Sequence, residues 1–382
     1  MRRFLILAVM SCFAVAAHAI KIVEGPYIQA LTDRSVTIVW TTDAEALSWV
    51  EVAPNDNTHF YAVARSQYFE TYMGRKQMGT LHKVTIDNLE PATTYRYRIF
   101  SREVLENNRG KILYGHVAST DVFRKKPLLV TTLDASKSTT SCLVINDQRG
   151  GDSLAQLLAA EFDKSNTGLV FYNGGMASAS DAPQQLFADF IHTSVKAFAK
   201  ETPFYMVRGD VESQGAVGRE YMSYFPTSTS RPYYIVRQGP VCFIVLDSGV
   251  SVADSVHNTD FDAYRREQAE WLAETLKSDV VTTASFRVVL MHIPAVPSMG
   301  HAAAQTQQIF VPLLNEANVN LMVSGYMDKL AMQQAGVGGV NFPILVNSSK
   351  NVVRLTADDK TLSVVIKDLS GREVSKFAIL PN

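Results

Sequence analysis

Hydrophobic and polar residues alternate along the first third of the chain. The stretch "SVTIVWTT" (35–42) carries β-branched residues and a tryptophan, and "HKVTI" (82–86) and "TYRYRIFS" (94–101) alternate apolar with polar positions. Such alternation is typical of half-buried strands, and turn-forming residues separate the runs at short intervals. Residues 20–123 are therefore predicted to form an all-β sandwich.

The pattern changes after a mixed polar stretch at 119–140. Short, fully apolar runs such as "CLVI" (142–145) and "FIVL" (243–246) alternate with amphipathic stretches of helical length, for example 152–164 and 262–278. Apolar runs of this kind are typical of strands buried on both faces. Alternating strands and helices predict a layered α/β domain over residues 138–382. The final segment, 351–380, returns to alternating strands, which we expect to complete a sheet in antiparallel fashion.

The composition fits a globular protein with two domains. A chain of 382 residues is long for one core, and 47% of its residues are hydrophobic while 19% are charged. The chain has 36 Lys and Arg residues and 37 Asp and Glu residues, so its charges nearly balance. This balance gives no positive field of the kind that binds nucleic acid or anionic lipid. No transmembrane helix is predicted, since no run of about 18 apolar residues follows the N-terminal segment.

The N-terminal segment has the pattern of a secretory signal peptide. It begins with "MRR", continues with the apolar run "FLILAVMSCFAVA" and ends in the small-residue pattern "AHA" (17–19). Residues 1–19 are therefore predicted to be removed, and the mature protein to be secreted or periplasmic. A lipoprotein attached through Cys12 is the less favoured interpretation, because the residues that follow Cys12 stay apolar.

Two cysteines remain after this processing, Cys142 and Cys242. Each lies in a strand-like apolar run. We favour two buried thiols that pack as small hydrophobic side chains. A disulfide between them in an oxidising compartment stays open at this point.

Polar side chains follow several of the apolar runs, where ligands bind in open α/β sheets. Asp147 follows "CLVIN", Asp210 follows "FYMVRG" and His292 follows "VVLM". Tyr326 and Asp328 follow "LMVSG" near the C-terminus. Any one of these aspartates could simply form a turn or cap a helix. Together they indicate a site at the carboxyl ends of the strands.

Several longer stretches carry a family resemblance. They include "GPYIQALTDRSVTIVWTTD", "NLEPATTYRYRI", "REYMSYFP" and "RREQAEWLAETL". With the strand-end residues, they resemble the calcineurin-like metallophosphoesterases of the purple acid phosphatase type, which have a fibronectin III-like N-terminal domain. The resemblance implies two mixed sheets flanked by helices behind the sandwich. It also implies phosphoester hydrolysis at two metal ions about 3.5 Å apart.

The first two motifs of that family are altered in this chain. In "DQR", Asp147 is retained, but Arg149 stands where the family has a histidine. In "NGGMAS", Gly175 stands where the family has the aspartate that bridges both metals. The resemblance therefore implies that the bridging ligand is lost.

The remaining motifs are altered as well. In "GDVE", Asp210 replaces a ligand asparagine and Val211 replaces the histidine that helps to protonate the leaving group. His292 is retained as the lone histidine after a strand. In "GYMD", Tyr326 and Asp328 replace the two histidines of the last motif.

These substitutions argue against a two-metal centre. Two unit charges 4 Å apart interact by about 4 kcal/mol at an effective dielectric constant near 20, so a dication beside a guanidinium costs roughly twice that. We expect Arg149 to lie between Asp147 and Asp328, with its charge in place of the first metal. No tightly bound metal is expected. The alternative is one Mg²⁺ or Mn²⁺ held by Asp210 and His292 with Asp328 or Tyr326.

Three functions follow from this pattern. The first is a secreted pseudo-phosphatase, in which Arg149 binds a phosphate-like or carboxylate anion in the remnant cleft. The second is an active phosphoric ester hydrolase with a remodelled one-metal site. The third is an extracellular interaction module. The sequence identifies no protein partner for it and leaves open whether the chain is an enzyme.

Overall fold

The computed structural model describes residues 19–121, 125–179, 181–254 and 259–382. Cys12 and the predicted signal peptide up to residue 18 lie outside these residues. An antiparallel sandwich comes first, followed by two mixed sheets that carry helices on their outer faces. This architecture confirms the predicted fold class, an all-β sandwich followed by a layered α/β domain.

The sandwich is built around two long antiparallel strands, β2 and β7, which pair over residues 46–54 and 95–103. Its strands are Ile22–Gln29 (β1), Val36–Pro54 (β2), Gln67–Phe69 (β3), Thr71–Tyr72 (β4), Arg75–Lys76 (β5), Met78–Ile86 (β6), Thr94–Asn108 (β7), Lys111–Ser119 (β8) and Leu128–Thr131 (β9). β4 and β5 form a separate hairpin. β9 pairs with β7 and lies in the stretch between the two predicted domains.

The second domain contains two sheets of six strands each in the described part of the chain. Its strands are Thr140–Ile145 (β10), Leu169–Asn173 (β11), Phe204–Val207 (β12), Tyr234–Gln238 (β13), Val241–Val245 (β14), Phe286–Leu290 (β15), Leu321–Ser324 (β16), Ala331–Gln333 (β17), Ile344–Val346 (β18), Asn351–Ala357 (β19), Leu362–Asp368 (β20) and Glu373–Ile379 (β21). The first sheet has the order β12-β11-β10-β19-β20-β21, and the second has the order β13-β14-β15-β16-β18-β17.

Parallel strands form the part of each sheet that carries the site. β10, β11 and β12 are parallel to one another, and so are β14, β15, β16 and β18. The chain ends in the antiparallel strands β19 to β21, as the alternating pattern predicted. Parallel neighbours end at the same edge of a sheet, so the loops after them are brought together.

Helices cover the outer faces of both sheets. They are Gly151–Glu161 (α1), His192–Ala197 (α2), Gly215–Tyr224 (α3), Phe261–Thr275 (α4), Asp279–Thr282 (α5), His301–Ile309 (α6) and Val311–Glu316 (α7). A π-helical turn at Phe187–Ile191 leads into α2, and short 3-10 turns lie at Pro297–Met299 and Val337–Gly339. Among the described residues, no helix has the length and apolar character needed to cross a membrane.

Strand β10 shows how the sequence produces the layers. Cys142 and Val144 face the core between the two sheets, while Leu143 and Ile145 face the core under the helices. Successive side chains of a strand point to opposite faces, so an all-apolar strand can fill both cores. The rings of Phe171 and Phe243 join the sheets, with centroids 4.7 Å apart.

The two cysteines are buried free thiols. Cys142 faces the core between the sheets, whereas Cys242 faces the core under the helices of the second sheet. Burial raises the pKa of each thiol to about 12. This arrangement confirms the interpretation that both pack as small hydrophobic side chains, and the alternative disulfide is not formed.

The sandwich is hydrogen-bonded to the second domain through its first strand. The hydroxyl of Tyr27 donates to the carbonyl of Tyr224 at 3.0 Å, and Nε2 of Gln29 donates to the carbonyl of Phe204 at 2.9 Å. In return, the buried hydroxyl of Tyr205 donates to the carbonyl of Leu31 at 2.9 Å. These buried bonds leave no polar gap between the domains at this point.

Candidate functional site

The loops after five parallel strands meet at one end of the two sheets, which pack face to face. They carry Asp147 after β10, Gly175 after β11, Asp210 after β12, His292 after β15 and Tyr326 after β16. We call this meeting point the cleft. The structure thus brings these sequence-predicted residues together.

Asp147 holds two of the loops in contact. Its backbone has a φ of +55°, in the left-handed region that aspartate tolerates better than most residues. Its carboxylate oxygen Oδ2 accepts a hydrogen bond from Nδ2 of Asn146 at 2.8 Å and one from the backbone N–H of Tyr326 at 3.1 Å. The backbone N–H of Asp147 donates to the carbonyl of Gly174 at 3.0 Å. The first and last motifs are therefore joined through this carboxylate.

The Gly174–Gly175 pair lies unusually close to the other cleft residues. A Cβ atom on Gly174 would lie 2.4 Å from the ring of His292, and one on Gly175 would lie 2.0 Å from Oδ1 of Asp147. Both glycines also have positive φ, at 77° and 67°. The carboxylate of Asp147 therefore occupies the space that a side chain at position 175 would need.

Glu212 lies beneath the cleft and holds two of its loops in place. Its carboxylate is fully buried and accepts backbone N–H groups from two separate loops. The donors are Gly175 at 3.1 Å, Met176 at 2.7 Å, Ala177 at 2.8 Å and Gly209 at 3.1 Å. These bonds satisfy backbone groups that would otherwise be buried without partners. The sequence marked Glu212 only as the end of "GDVE", and nothing in that pattern identifies its four donors.

Asp210 and His292 face each other across the cleft. Oδ1 of Asp210 lies 3.5 Å from Nε2 of His292, and it accepts the backbone N–H of Val211 at 2.9 Å. Burial is the largest influence on Asp210 and would raise its pKa, but the imidazole and the backbone donor together hold the pKa below its ordinary value. Asp210 therefore carries a negative charge in the cleft at neutral pH.

His292 is fully buried, and a hydrogen bond to a backbone carbonyl fixes the orientation of its ring. Its Nδ1 lies 2.8 Å from the carbonyl oxygen of Asn173, so Nδ1 carries a proton and donates it. Nε2 points into the cleft and makes no hydrogen bond with any described residue. Burial is the largest influence on its pKa and lowers it, but the carboxylate of Asp210 and two others nearby raise it above the ordinary value overall.

The side chains of Tyr326 and Asp328 lie in different environments. Tyr326 has a φ of +71° and is half-buried, with its ring centroid 5.8 Å from that of His292 and nearly perpendicular to it. Asp328 is exposed to solvent. The positive φ turns the chain outward, so these two alternate residues do not share one face as they would in a strand.

Arg149 is only loosely attached to the cleft. Its Nη2 lies 3.8 Å from Oδ1 of Asp147, and its side chain is 51% exposed. Within the described ranges, no ion pair joins Arg149 to Asp328. Arg149 lies near Asp147, as predicted. The predicted pairing of Arg149 with Asp328 is wrong, because Asp328 points to solvent.

The side chains present do not fit a centre for two metal ions. Across the described ranges, no group of three or more His, Cys, Asp and Glu side chains is arranged to hold a metal. The carboxylate of Glu212 is already committed to four backbone donors, and Gly175 has no ligand atom in its side chain. What does fit is a smaller arrangement, because Nε2 of His292 is unpaired and faces one oxygen of Asp210.

A layer of buried polar side chains lies under the cleft, and sequence reasoning missed it. Nδ2 of Asn347 donates to Oδ1 of Asn146 at 2.6 Å, and Nδ2 of Asn173 donates to the carbonyl of Val323 at 3.0 Å. Asn347 and Asn146 directly follow β18 and β10, and Asn173 is the last residue of β11. The sequence shows a polar residue at the end of each of these apolar runs. It does not show which groups those residues bond to.

Comparison with known proteins places the fold. The family model for the N-terminal domain of purple acid phosphatases matches residues 26–112. A search of curated proteins finds no match to the chain.

Solved structures match over longer ranges. A purple acid phosphatase from yellow lupin (Lupinus luteus) seeds has a TM-score of 0.68 and 14% identity, covering 93% of this chain and 74% of that one. GAP50, the anchor in the inner membrane complex of Plasmodium, has a TM-score of 0.47 and 13% identity, covering 64% of this chain and 90% of that one. YfcE, a phosphoesterase from E. coli, has a TM-score of 0.33 and 13% identity, covering 63% and 100%. Residues 26–112 therefore match the N-terminal domain of purple acid phosphatases, and the chain shares the fold of the yellow lupin purple acid phosphatase over most of its length.

Proposed function

We propose that this protein is a secreted pseudo-phosphatase, which uses the cleft to bind an anion and does not hydrolyse phosphoesters at two metal ions. The single observation that carries the proposal is the contact between Asp147 and Gly175. A Cβ atom at position 175 would lie 2.0 Å from Oδ1 of Asp147. The carboxylate of Asp147 takes up the space that a side chain at position 175 would need, and Tyr326 and Asn146 hold it there by hydrogen bonds.

Arg149 supports the anion-binding part of the proposal. Its guanidinium is half exposed, the one ion pair that it forms among the described residues is with Asp147, at 3.8 Å, and its charge also helps to lower the pKa of Asp210. That distance is long for a hydrogen-bonded ion pair, so the fork of N–H donors stays available. A guanidinium binds phosphate or carboxylate in bidentate fashion, and an anion brings the charge that the loose pair lacks.

A second candidate function has one observation in its favour. Nε2 of His292 is buried and makes no hydrogen bond with any described residue, and its one ionic contact there is with Oδ1 of Asp210, at 3.5 Å. A metal-ligating histidine usually binds the metal through one ring nitrogen, while its other ring nitrogen donates to a partner such as a backbone carbonyl. One divalent cation such as Mg²⁺ or Mn²⁺ could be held here by Asp210 and His292 with waters, and it would supply Lewis-acid chemistry if bound.

Metal content and turnover of the purified mature protein distinguish the two functions. The pseudo-phosphatase predicts less than one equivalent of metal after dialysis and no hydrolysis of an aryl phosphate ester above the buffer rate. The one-metal hydrolase predicts stoichiometric metal and turnover that disappears in Asp210→Ala. That second result would end the proposal.

Anion binding needs its own measurement. We expect inorganic phosphate to bind the mature protein in a calorimetric titration, and Arg149→Gln to weaken that binding by about tenfold or more. Lys376→Gln, which removes an exposed positive charge from β21, is the matched control and should leave the affinity unchanged. Equal phosphate affinity in both variants would contradict the role given to Arg149.

A further inference from the structure

A large open groove lies on the helical face next to the cleft. Its volume is about 1000 Å³, and its walls come from α1 on one side and from the π-helical turn with α2 on the other. That size is within the range of small-molecule sites, which is roughly 300–1,000 Å³. Arg149 lines this groove as well as the cleft, so one guanidinium serves both spaces.

The groove runs along the length of α1. At one end, Gly151 approaches the carbonyl of Ala188 and the side chain of Thr193. At the other end, the rings of Phe162 and Phe198 stack with centroids 4.8 Å apart. Since α1 has 11 residues, the distance between the two ends is about 16 Å.

The middle of the groove carries small apolar side chains, with the polar Ser153 and Thr193 also in its lining. Ala155 and Ala159 lie one turn apart on α1, and both are exposed in the groove together with part of Phe162, while Leu158 lies buried beneath them. Their small side chains leave the space open. An alkyl chain lying here would remove this apolar surface from water.

The rim of the groove carries positive charge without fixed partners. Lys196 is exposed and forms neither a hydrogen bond nor an ion pair with any residue in the described part of the chain. Arg149 has only the long contact to Asp147. His192 also lines the groove, but its Nδ1 is 2.9 Å from Glu24 of the sandwich. The one acidic side chain in the lining is Asp152, at the start of α1.

We propose that this groove binds an amphipathic organic anion, with a phosphate or carboxylate head group at Arg149 and an alkyl body along α1 towards Phe162. The inference rests on the proposed anion binding at Arg149, and it adds the chemical class of the ligand. Charge at the mouth and apolar surface behind it are the two features that such a molecule requires. The head group could belong to a free amphiphile or to a membrane lipid.

Three probes separate the parts of this ligand: decyl phosphate below its critical micelle concentration, inorganic phosphate, and decanol. We expect decyl phosphate to bind at least about tenfold more tightly than either of the others, because only it uses both features. Ala159→Phe fills the groove and should weaken decyl phosphate binding by about tenfold while leaving inorganic phosphate binding intact. Ala160→Phe, on the same helix but outside the groove lining, is the matched control.

The outcomes are distinct for the two proposals. Equal affinity for decyl phosphate in Ala159→Phe and Ala160→Phe, or no advantage of decyl phosphate over inorganic phosphate, overturns the groove inference alone. Failure of inorganic phosphate to bind, with decyl phosphate still sensitive to Ala159→Phe, overturns only the simple anion site. Retention on vesicles containing phosphatidic acid, if lost in Ala159→Phe, supports the inference with a lipid as the source. Binding of monomeric decyl phosphate without such retention supports it with a soluble amphiphile.

Discussion

The backbone N–H of Tyr326 donates a hydrogen bond to Oδ2 of Asp147 at 3.1 Å. This bond joins the loop after β16 in one sheet to the loop after β10 in the other. It also fixes the carboxylate of Asp147 beside Gly175, where a Cβ atom would lie 2.0 Å from Oδ1. The inward position of Asp147 therefore depends on the absence of a side chain at position 175.

The double change Gly175→Asp, Arg149→His should raise the affinity for Mn²⁺. An aspartate tolerates the φ of 67° at position 175 better than most residues, but its Cβ displaces the carboxylate of Asp147 from its present place. The displaced and the new carboxylate then offer oxygens to a cation that no longer faces a guanidinium. We expect an increase of about tenfold or more, measured by calorimetric titration with Mn²⁺.

The matched control for this change is Gly175→Asn, Arg149→His. It introduces a side chain of the same shape without the negative charge, so the steric displacement occurs but the ligand does not appear. Equal Mn²⁺ affinity in the aspartate and asparagine variants would show that the missing carboxylate is not what limits metal binding.

Glu212→Gln should loosen the loop that carries Gly175. Each carboxylate oxygen of Glu212 accepts two backbone N–H groups, and an amide turns one acceptor into a donor that opposes two of them. We expect a loss of about 2–4 kcal/mol in the free energy of unfolding, measured with urea, and faster hydrogen exchange at residues 175–177. Glu220→Gln, at an exposed position on α3, should change neither. Unchanged exchange in Glu212→Gln would contradict the role assigned to the carboxylate.

The layers and the position of the cleft could be predicted because they follow from local patterns. Apolar runs such as "CLVI" in β10 fill two cores at once, and the ends of parallel strands meet at one edge. Asp147 and His292 were therefore placed near each other by counting strand ends alone.

The side-chain directions could not be predicted, for physical reasons that differ between residues. Asp328 points to solvent because a single positive φ at Tyr326 ends the alternation of side-chain directions. No sequence pattern predicts that φ. Arg149 has many rotamers on an exposed loop, so its pairing depends on neighbours that are distant in sequence. The four donors to Glu212 come from two loops that only the folded chain brings together.

The buried ion pair between Arg208 and Asp247 should be among the most sensitive positions near the cleft. Arg208 directly precedes the Gly209–Asp210 turn, and its Nε donates to Oδ2 of Asp247 at 2.8 Å. Asp247 is fully buried and also accepts the hydroxyl of Tyr264 at 2.6 Å. Asp247→Ala leaves the guanidinium buried without its charge partner, so we expect a cost of about 3–5 kcal/mol in urea unfolding.

An exposed pair provides the control for that cost. Nζ of Lys277 lies 2.8 Å from Oε1 of Glu274, with both side chains more than 70% exposed. Glu274→Ala should leave the free energy of unfolding almost unchanged, since water screens the pair. The double change Arg208→Met, Asp247→Leu should recover part of the loss of Asp247→Ala, because it removes the unpaired charge as well. Similar costs for Asp247→Ala and Glu274→Ala would refute the distinction.

His82 should make the stability of the protein fall in mild acid. It is buried in the sandwich, where Nε2 lies 2.9 Å from the hydroxyl of Thr42, and burial lowers its pKa from 6.5 to about 4. The unfolded chain binds a proton near pH 6.5, whereas the folded chain resists it until about pH 4. The contribution of His82 is therefore complete above pH 6.5, decreases as the pH falls towards 4 and is flat below that, and it amounts to about 3 kcal/mol. Urea unfolding from pH 4 to 7.5 should show that the stability of the wild type falls relative to that of His82→Gln by about 3 kcal/mol as the pH falls, and parallel curves would contradict the prediction.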